Sequence, residues 1–378
     1  LRILYCANAP WVGSGYGVQA QHLLPRLARL PQVENIAIFA YFGLYGGVTY
    51  WGPFTVYPAG ADNYGNDVIG LHARDFKADV VITMLDVWPL KEIARKVVPA
   101  QWWPWFPVDS DPAPGRVVKA LDGAAKPLVY SQWGQAKLAE QGVAATYVPI
   151  GIDPQTFRVL EPGMVGRFRA DLFGADCTHL TVMVAANVSY PDRKAFQVQL
   201  RAWALFAEDK PGARLYIHTD PTTQHEGVDL YALAASLNIA DKVIFPDRYQ
   251  YFIGYPPEYL ALVYNAADVL LAASMAEGFG IPLVEAQACG CPVIATNFSS
   301  MSELTKLGKA TEPLDYIWTP LGSWQAWPDA NDIANQIELY SGLVRGMEMR
   351  TQISKQIHEE FGWDAVVERH WAPLFEGA

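Results

Sequence analysis

The chain has 378 residues, a formal net charge of −11 and 51% hydrophobic residues. That length suits two ordinary domains, each with its own core. The acidic balance and the lack of any Lys/Arg block argue against a nucleic-acid surface and disfavour anionic lipid. No apolar run is long enough to cross a bilayer, while peripheral membrane contact through a local basic patch is left open.

The opening Leu1-Arg2-Ile3-Leu4-Tyr5-Cys6-Ala7 is too short, and too soon followed by Pro10 and glycines, for a signal peptide; it reads as a first buried strand. Further strands are expected at Ile36–Ala40, Val80–Met84, Trp102–Phe106, Leu128–Tyr130 and Thr146–Ile150, with helices Val18–Leu30 and Gly134–Gln141 the clearest between them. A polar stretch after Gly151-Ile152-Asp153-Pro154 reads as an interdomain linker. The pattern restarts with strand Leu180–Ala186, helix Ala195–Ala207, strand Arg214–His218, a helix near Leu230–Leu237, and strands Lys242–Phe245 and Val269–Ala273. Trp318 to Pro328 reads as an aromatic loop of unassigned role, and Trp363 to Phe375 as a helical strap packed across both halves.

Short apolar strands alternating with helical patterns imply α/β architecture with parallel sheets. The expected division is residues 1–157 plus the strap 363–378, and residues 158–362. Two doubly wound domains would face each other across a cleft lined by the C-terminal ends of their strands, where such sheets bind ligands.

Of the four cysteines, Cys6 falls in the first strand and Cys177 in the linker region, while Cys289 and Cys291 flank Gly290. With no His or Cys partner at ligand spacing, the last two read as small buried residues. A reducing cytoplasm is the expected setting.

The densest chemistry lies in Glu277-Gly278-Phe279-Gly280-Ile281-Pro282-Leu283-Val284-Glu285. Gly278 and Gly280 let the backbone approach a ligand, and Pro282 is pre-shaped for a first helical turn. Amides at such a helix start attract phosphate. Glu285, a turn into the helix, can accept two hydroxyl hydrogen bonds, as a ribose diol offers, and Glu277 can do the same for a hexose. The plainer alternative is a loop acid and a first-turn carboxylate favoured by the helix dipole.

This segment resembles the Glu-x7-Glu motif of the retaining nucleotide-sugar glycosyltransferases of family 4, which have the GT-B fold. Ala186-Asn187-Val188-Ser189-Tyr190-Pro191-Asp192-Arg193-Lys194 is similar to the family's Asn-x-x-Arg-Lys loop, lengthened by additional residues. Asn8 to Gly17, containing Ser14-Gly15-Tyr16-Gly17, sits where the family has a glycine-rich loop. The resemblance is dense from Val182 to Glu303, thinner across the first domain, and resumes at Phe361-Gly362-Trp363-Asp364.

The resemblance implies a hexosyltransferase that uses a UDP- or GDP-sugar as co-substrate, requires no cofactor, and acts on a hydroxyl acceptor. It assigns Glu277, Arg193 and Lys194 to catalysis, the two cations steadying the departing diphosphate without a metal. It assigns Glu285, Gly278, Phe279, Gly280, Ile281, Asn187, Ile244, His218, Gly15 and Gly17 to the donor. Asp86, Asp109, Tyr16 and Ser14 fall on the acceptor or sugar side. Asp86 stands where many relatives have a histidine; it selects the sugar or acceptor, or caps the following helix. His218 reads equally as an interior histidine, and Tyr264, Asn265 and Asp268 as structural. Ser131 reads as an N-cap.

Other classes were weighed. Gly15-Tyr16-Gly17 to Ala20 satisfies a dinucleotide fingerprint, but the second strand ends in Ile38-Phe39-Ala40-Tyr41, with no acid for a ribose. Asp109-Ser110-Asp111 offers an Asp-x-Asp for a divalent cation, although its neighbours resemble a GT-B acceptor segment. A catalytically silent sugar-nucleotide or glycan-binding protein on the same scaffold is the remaining alternative.

Overall fold

The computed structural model describes residues 1–188, 192–224, 226–341 and 346–376. Ser189, Tyr190 and Pro191 of the Arg-Lys loop lie outside the described residues, as do the last two residues of the expected strap. The chain divides into two compact units, Leu1–Gly151 with Thr319–Ser323 and Phe361–Ala378, and Ile152–Trp318 with Trp324–Glu360.

The first unit is built on eight strands: β1 (Arg2–Ala7), β2 (Asn35–Ala40), β3 (Thr49–Trp51), β4 (Phe54–Tyr57), β5 (Val80–Met84), β6 (Gln101–Phe106), β7 (Leu128–Val129) and β8 (Thr146–Tyr147). Their order is β3-β4-β2-β1-β5-β6-β7-β8, parallel except for the β3–β4 pair. The central strands are continuous apolar runs because helices cover both faces of a parallel sheet. In β6 this brings Trp102, Trp103 and Trp105 into full burial. Their indoles need partners there: Trp102 donates to Thr83 Oγ1 at 3.0 Å and Trp105 to the Val148 carbonyl at 2.8 Å. The C-terminal segment packs into this unit, with Trp371 edge-on to Trp105 at 5.0 Å and Phe375 against Trp103 at 5.4 Å. β3 and β4 were not expected, since Gly52 and Pro53 interrupt the pattern there; those residues form the turn of an edge hairpin.

The second unit holds β9 (His179–Val184), β10 (Ala213–His218), β11 (Val243–Ile244), β12 (Val269–Ala272), β13 (Val293–Thr296) and β14 (Gly308–Thr311), all parallel, in the order β11-β10-β9-β12-β13-β14. Strand order reverses between β9 and β12, which makes the loops leaving these two strands neighbours at a switch point. The expected aromatic loop is instead a two-stranded sheet, β15 (Pro313–Thr319) and β16 (Ser323–Pro328), joined by a tight turn at Gly322 (φ 73°). Tyr316 and Trp318 flank Ile317 in β15, and Trp324 and Trp327 are three apart in β16, so no two-residue polar alternation marks the pair in the sequence.

No helix among the described residues is long and apolar enough to cross a membrane. Cys289 and Cys291 are buried. Ser131 caps the helix Gln132–Ala139, accepting from the Gly134 amide at 3.0 Å.

Candidate functional site

The loops leaving β9 and β12 are sewn together. The Met275 amide donates to the Arg193 carbonyl at 2.9 Å, and the Ala273 amide to Gln199 Oε1 at 2.9 Å. Gln199 also donates to the Lys194 carbonyl at 2.6 Å, so one buried amide ties both loops to the helix Phe196–Ala207. Asp192 shapes the cation-bearing loop by accepting from the amides of Lys194 (2.9 Å) and Phe196 (2.5 Å).

These restraints place Lys194 Nζ 2.5 Å from Glu277 Oε1 and an Arg193 guanidinium nitrogen 3.1 Å from Glu277 Oε2. Arg193 also donates to the Ala276 carbonyl. Ser274 Oγ donates to Glu277 Oε1 at 2.7 Å, and the Glu277 amide donates to Ser299 Oγ at 3.0 Å. Burial by itself would raise the Glu277 pKa, but the charges of Lys194 and Arg193 outweigh it and hold the group at about 2. Glu277 is therefore an anion throughout the physiological range. Lys194, Glu277, Ser274 and Gly280 share the wall of a small cavity whose floor is Val184, Leu271 and Leu283.

The helix Ile281–Ala288 starts from Gly280 in the left-handed region (φ 100°), a conformation that favours glycine. Ser300 Oγ donates to the carbonyls of Glu277 and Phe279, which holds the Gly278 stretch against the helix Ser300–Leu304. One turn into Ile281–Ala288, Glu285 accepts from the Tyr264 hydroxyl at 3.0 Å. Burial raises its pKa to about 7, the Tyr264 hydrogen bond offsetting only part of that rise. The two acids of one motif thus differ in charge state, because only Glu277 has cations beside it.

The remaining expected donor residues of this unit lie on the same sheet edge. Ile244 ends β11, His218 ends β10, and Asn187 follows β9, on three adjacent strands. His218 is half-buried, with Nδ1 2.9 Å from the Tyr216 hydroxyl; burial lowers its pKa to about 4, so it is neutral at pH 7. Asn187 is differently occupied. Its Nδ2 donates to the carbonyls of Asp220, Thr222 and Val228, and its Oδ1 accepts from the Val228 amide at 2.8 Å. The side chain expected to meet a donor instead braces the loop 220–228.

In the first unit, the glycine loop after β1 and Asp86 after β5 straddle a second switch point, with Asp109 beyond the end of neighbouring β6. Ser14 caps the helix Gly15–Leu27, accepting from the Gly17 amide at 3.2 Å and from Asn8 Nδ2 at 2.8 Å. A side chain at Gly17 would sit 2.3 Å from the Val12 carbonyl oxygen, so this glycine is required by packing. Tyr16 is half-buried and contributes to the raised pKa of Tyr130, for which burial is the larger cause. Asp86 does not cap a helix: the next one, Ile93–Lys96, begins seven residues on, behind Glu92. Asp111 is paired with Lys137 at 2.9 Å, and Asp109 accepts from Ser110 Oγ at 2.9 Å. Among the described residues no group of three or more His, Cys, Asp or Glu could hold a metal. Tyr41, which follows β2, is buried, and no acid stands there for a ribose.

Several supporting residues escaped the sequence reading: Asp192, Gln199, Ser274, Ser299, Ser300 and Tyr264. Only Tyr264 carried a signal, in the Tyr-Asn-Ala-Ala-Asp run, and it pointed to structure.

Residues 179–335 match the family described as Glycosyl transferases group 1. The chain is 32% identical over 213 residues to the D-inositol 3-phosphate glycosyltransferase of Acidothermus cellulolyticus, covering 53% of this chain and 45% of that protein. It is 33% identical over 183 residues to the same-named protein of Segniliparus rotundus, covering 47% and 37%. The chain thus spans less than half the length of these curated relatives. Among solved structures, sucrose-phosphate synthase from Thermosynechococcus elongatus superposes over 100% of both chains with a TM-score of 0.74 at 17% identity. Anabaena HepE in complex with UDP and glucose does so over 99% of both chains, with a TM-score of 0.68 at 15% identity. These likenesses establish the fold as GT-B, and residues 179–335 of this chain are similar to the Glycosyl transferases group 1 family.

Proposed function

We propose that the chain is a retaining glycosyltransferase that moves a hexose from a UDP- or GDP-sugar to a hydroxyl acceptor without a metal. The observation that carries this reading is the Lys194–Glu277–Arg193 cluster. Two cations are fixed at the switch point of a parallel sheet, beside the glycine start of a helix, where a diphosphate gains both charge partners and backbone amides.

In this reading Arg193 and Lys194 bind the diphosphate and stabilise the charge that it gains as the glycosidic bond breaks. Glu277 holds both cations in place before the donor arrives and accepts hydroxyl hydrogen bonds from the sugar. Glu285 accepts from the ribose diol, giving up its protonated state as hydroxyl donors replace apolar surroundings. The acceptor oxygen attacks the face from which the phosphate departs, and that phosphate takes the acceptor proton. No protein nucleophile is needed. A relative's solved complex with UDP and glucose supports the nature of the donor, although that likeness extends to the fold alone.

Incubation with a panel of UDP- and GDP-sugars and simple hydroxyl acceptors, reading released nucleoside diphosphate, tests the proposal. Release from at least one donor, lowered on the order of a hundredfold or more in Lys194→Ala, is expected; binding of a donor with no release from any would overturn it.

A further inference from the structure

The C-terminal edge of the first unit's sheet carries exposed aromatics on four separate loops. Trp11 follows β1, Phe42 and Tyr45 follow β2, Tyr64 follows β4, and Trp88 follows β5. Their exposures run from 37% for Tyr64 to 69% for Tyr45, which is a large apolar area to leave in water. No aromatic is required there by the core, because the buried faces of β1, β2 and β5 are filled by other residues.

The rings are held in two groups. Phe42 and Tyr45 meet edge-on at 6.1 Å, and the Trp11 indole N–H donates to the Gly43 carbonyl at 2.9 Å, fixing Trp11 beside them. Tyr64 and Trp88 are 6.4 Å apart, with the Arg116 guanidinium 4.2 Å over the Trp88 ring. The loops that carry both groups leave the same end of four neighbouring strands, in the order β4-β2-β1-β5. Carboxylates alternate with the rings: Asp62 lies two residues before Tyr64, and Asp86 two before Trp88.

We infer that this rim binds an oligosaccharide acceptor of several sugar rings, which rests on the glycosyltransferase reading above. Aromatic faces cover the apolar faces of successive sugar rings, while carboxylates and the Tyr45 and Tyr64 hydroxyls meet the sugar hydroxyls. Two groups of rings, each ordered by its own contacts, offer more than one stacking platform, which suits an extended chain better than a single ring. A lipid surface fits poorly. The aromatics come from four loops rather than one helix face, no Lys or Arg occurs between Asn35 and Ala61 to meet a headgroup, and the nearby charges on these loops include Asp62, Asp67 and Asp86.

The test is calorimetric titration of the whole chain, without nucleotide, with cellohexaose, maltohexaose, laminarihexaose and glucose, beside flotation with phosphatidylcholine vesicles. At least one hexasaccharide is expected to bind tenfold or more tightly than glucose, and Trp88→Ala and Tyr45→Ala are each expected to weaken that binding at least tenfold. Both side chains are exposed, so folding is not at stake, and an unchanged circular dichroism spectrum checks this. The inference is overturned if none of the three hexasaccharides binds, if both variants bind as the parent does, or if vesicle flotation is what the variants lose. UDP and GDP titrations on the same samples separate the two readings. Intact nucleotide binding with no oligosaccharide binding rejects the rim alone, whereas no nucleotide binding in the parent rejects the donor reading beneath it.

Discussion

Lys194 and Glu277 sit on loops leaving adjacent strands, and their charged atoms are 2.5 Å apart with Ser274 as a third partner. The pair is held from both sides by backbone hydrogen bonds between the loops, so the ammonium is positioned by the fold rather than by the carboxylate alone. In the proposed reaction, removing Lys194 deprives the departing diphosphate of a fixed cation. Lys194→Ala is expected to lower turnover by on the order of a hundredfold or more in nucleoside-diphosphate release, with a smaller effect on donor affinity.

Glu285 carries a pKa of about 7, above the ordinary 4.5, because it is buried without a cation. A raised folded pKa means that stability from this group is complete below pH 4.5 and is lost as pH rises to 7. Glu285→Gln keeps the acceptor for Tyr264 but cannot ionise. Denaturant unfolding should show the variant more stable than the parent by on the order of 3 kcal/mol at pH 8, with the difference vanishing below pH 4.5. The same substitution should weaken nucleoside diphosphate binding above pH 7, where the parent's carboxylate is a better acceptor for a diol.

The Asn187 side chain shares its two N–H donors among the carbonyls of Asp220, Thr222 and Val228 and accepts from the Val228 amide. Asn187→Ala leaves these buried groups unpaired and is expected to cost about 2 kcal/mol in denaturant unfolding. A variant of unchanged stability with impaired donor binding would show that the side chain serves the ligand instead.

Trp327 packs against Ala195, Val198 and Met275, which flank the cation loop and the acid loop, and the neighbouring Ala326 amide donates to the Met275 carbonyl at 3.1 Å. Trp327→Ala is expected to destabilise the chain by roughly 2 kcal/mol, since the ring is only partly buried, and to lower turnover several-fold. Trp327→Phe should recover most of both. Thermal unfolding and product release on the same samples check the pairing.

Chelation is expected to leave turnover within about twofold of its starting value, because in the proposed reaction two side-chain cations supply the charge that a metal would. Nucleoside-diphosphate release measured with and without EDTA checks this. A complete loss reversed by magnesium would transfer the role to Asp109 and a metal.

Much of the second unit was legible in the sequence. Strands β9, β10 and β12 are short apolar runs bounded by turn residues, and Gly280-Ile281-Pro282 announces a helix start in local backbone terms alone. The hairpin β15–β16 was not legible, because Trp, Pro and Gly break its alternation and its pairing depends on a partner strand. Nor was β3–β4: β3 is a three-residue edge strand with no buried residue, and Gly52 and Pro53 separate it from the short buried run of β4.

The sequence by itself determined which chemical groups this chain carries and the local shape of the turns that present them, since backbone conformation and the spacing of Gly, Pro and charged residues act over a few positions. Tertiary structure alone decided their pairing and charge. Two acids of one motif separated into an anion beside Lys194 and a near-neutral group beside Tyr264, and Asn187 was drawn into bracing a loop. Electrostatic energy and hydrogen-bond satisfaction depend on neighbours that lie distant in the chain: Glu277 meets Lys194 across 83 residues, and Asn187 meets Val228 across 41.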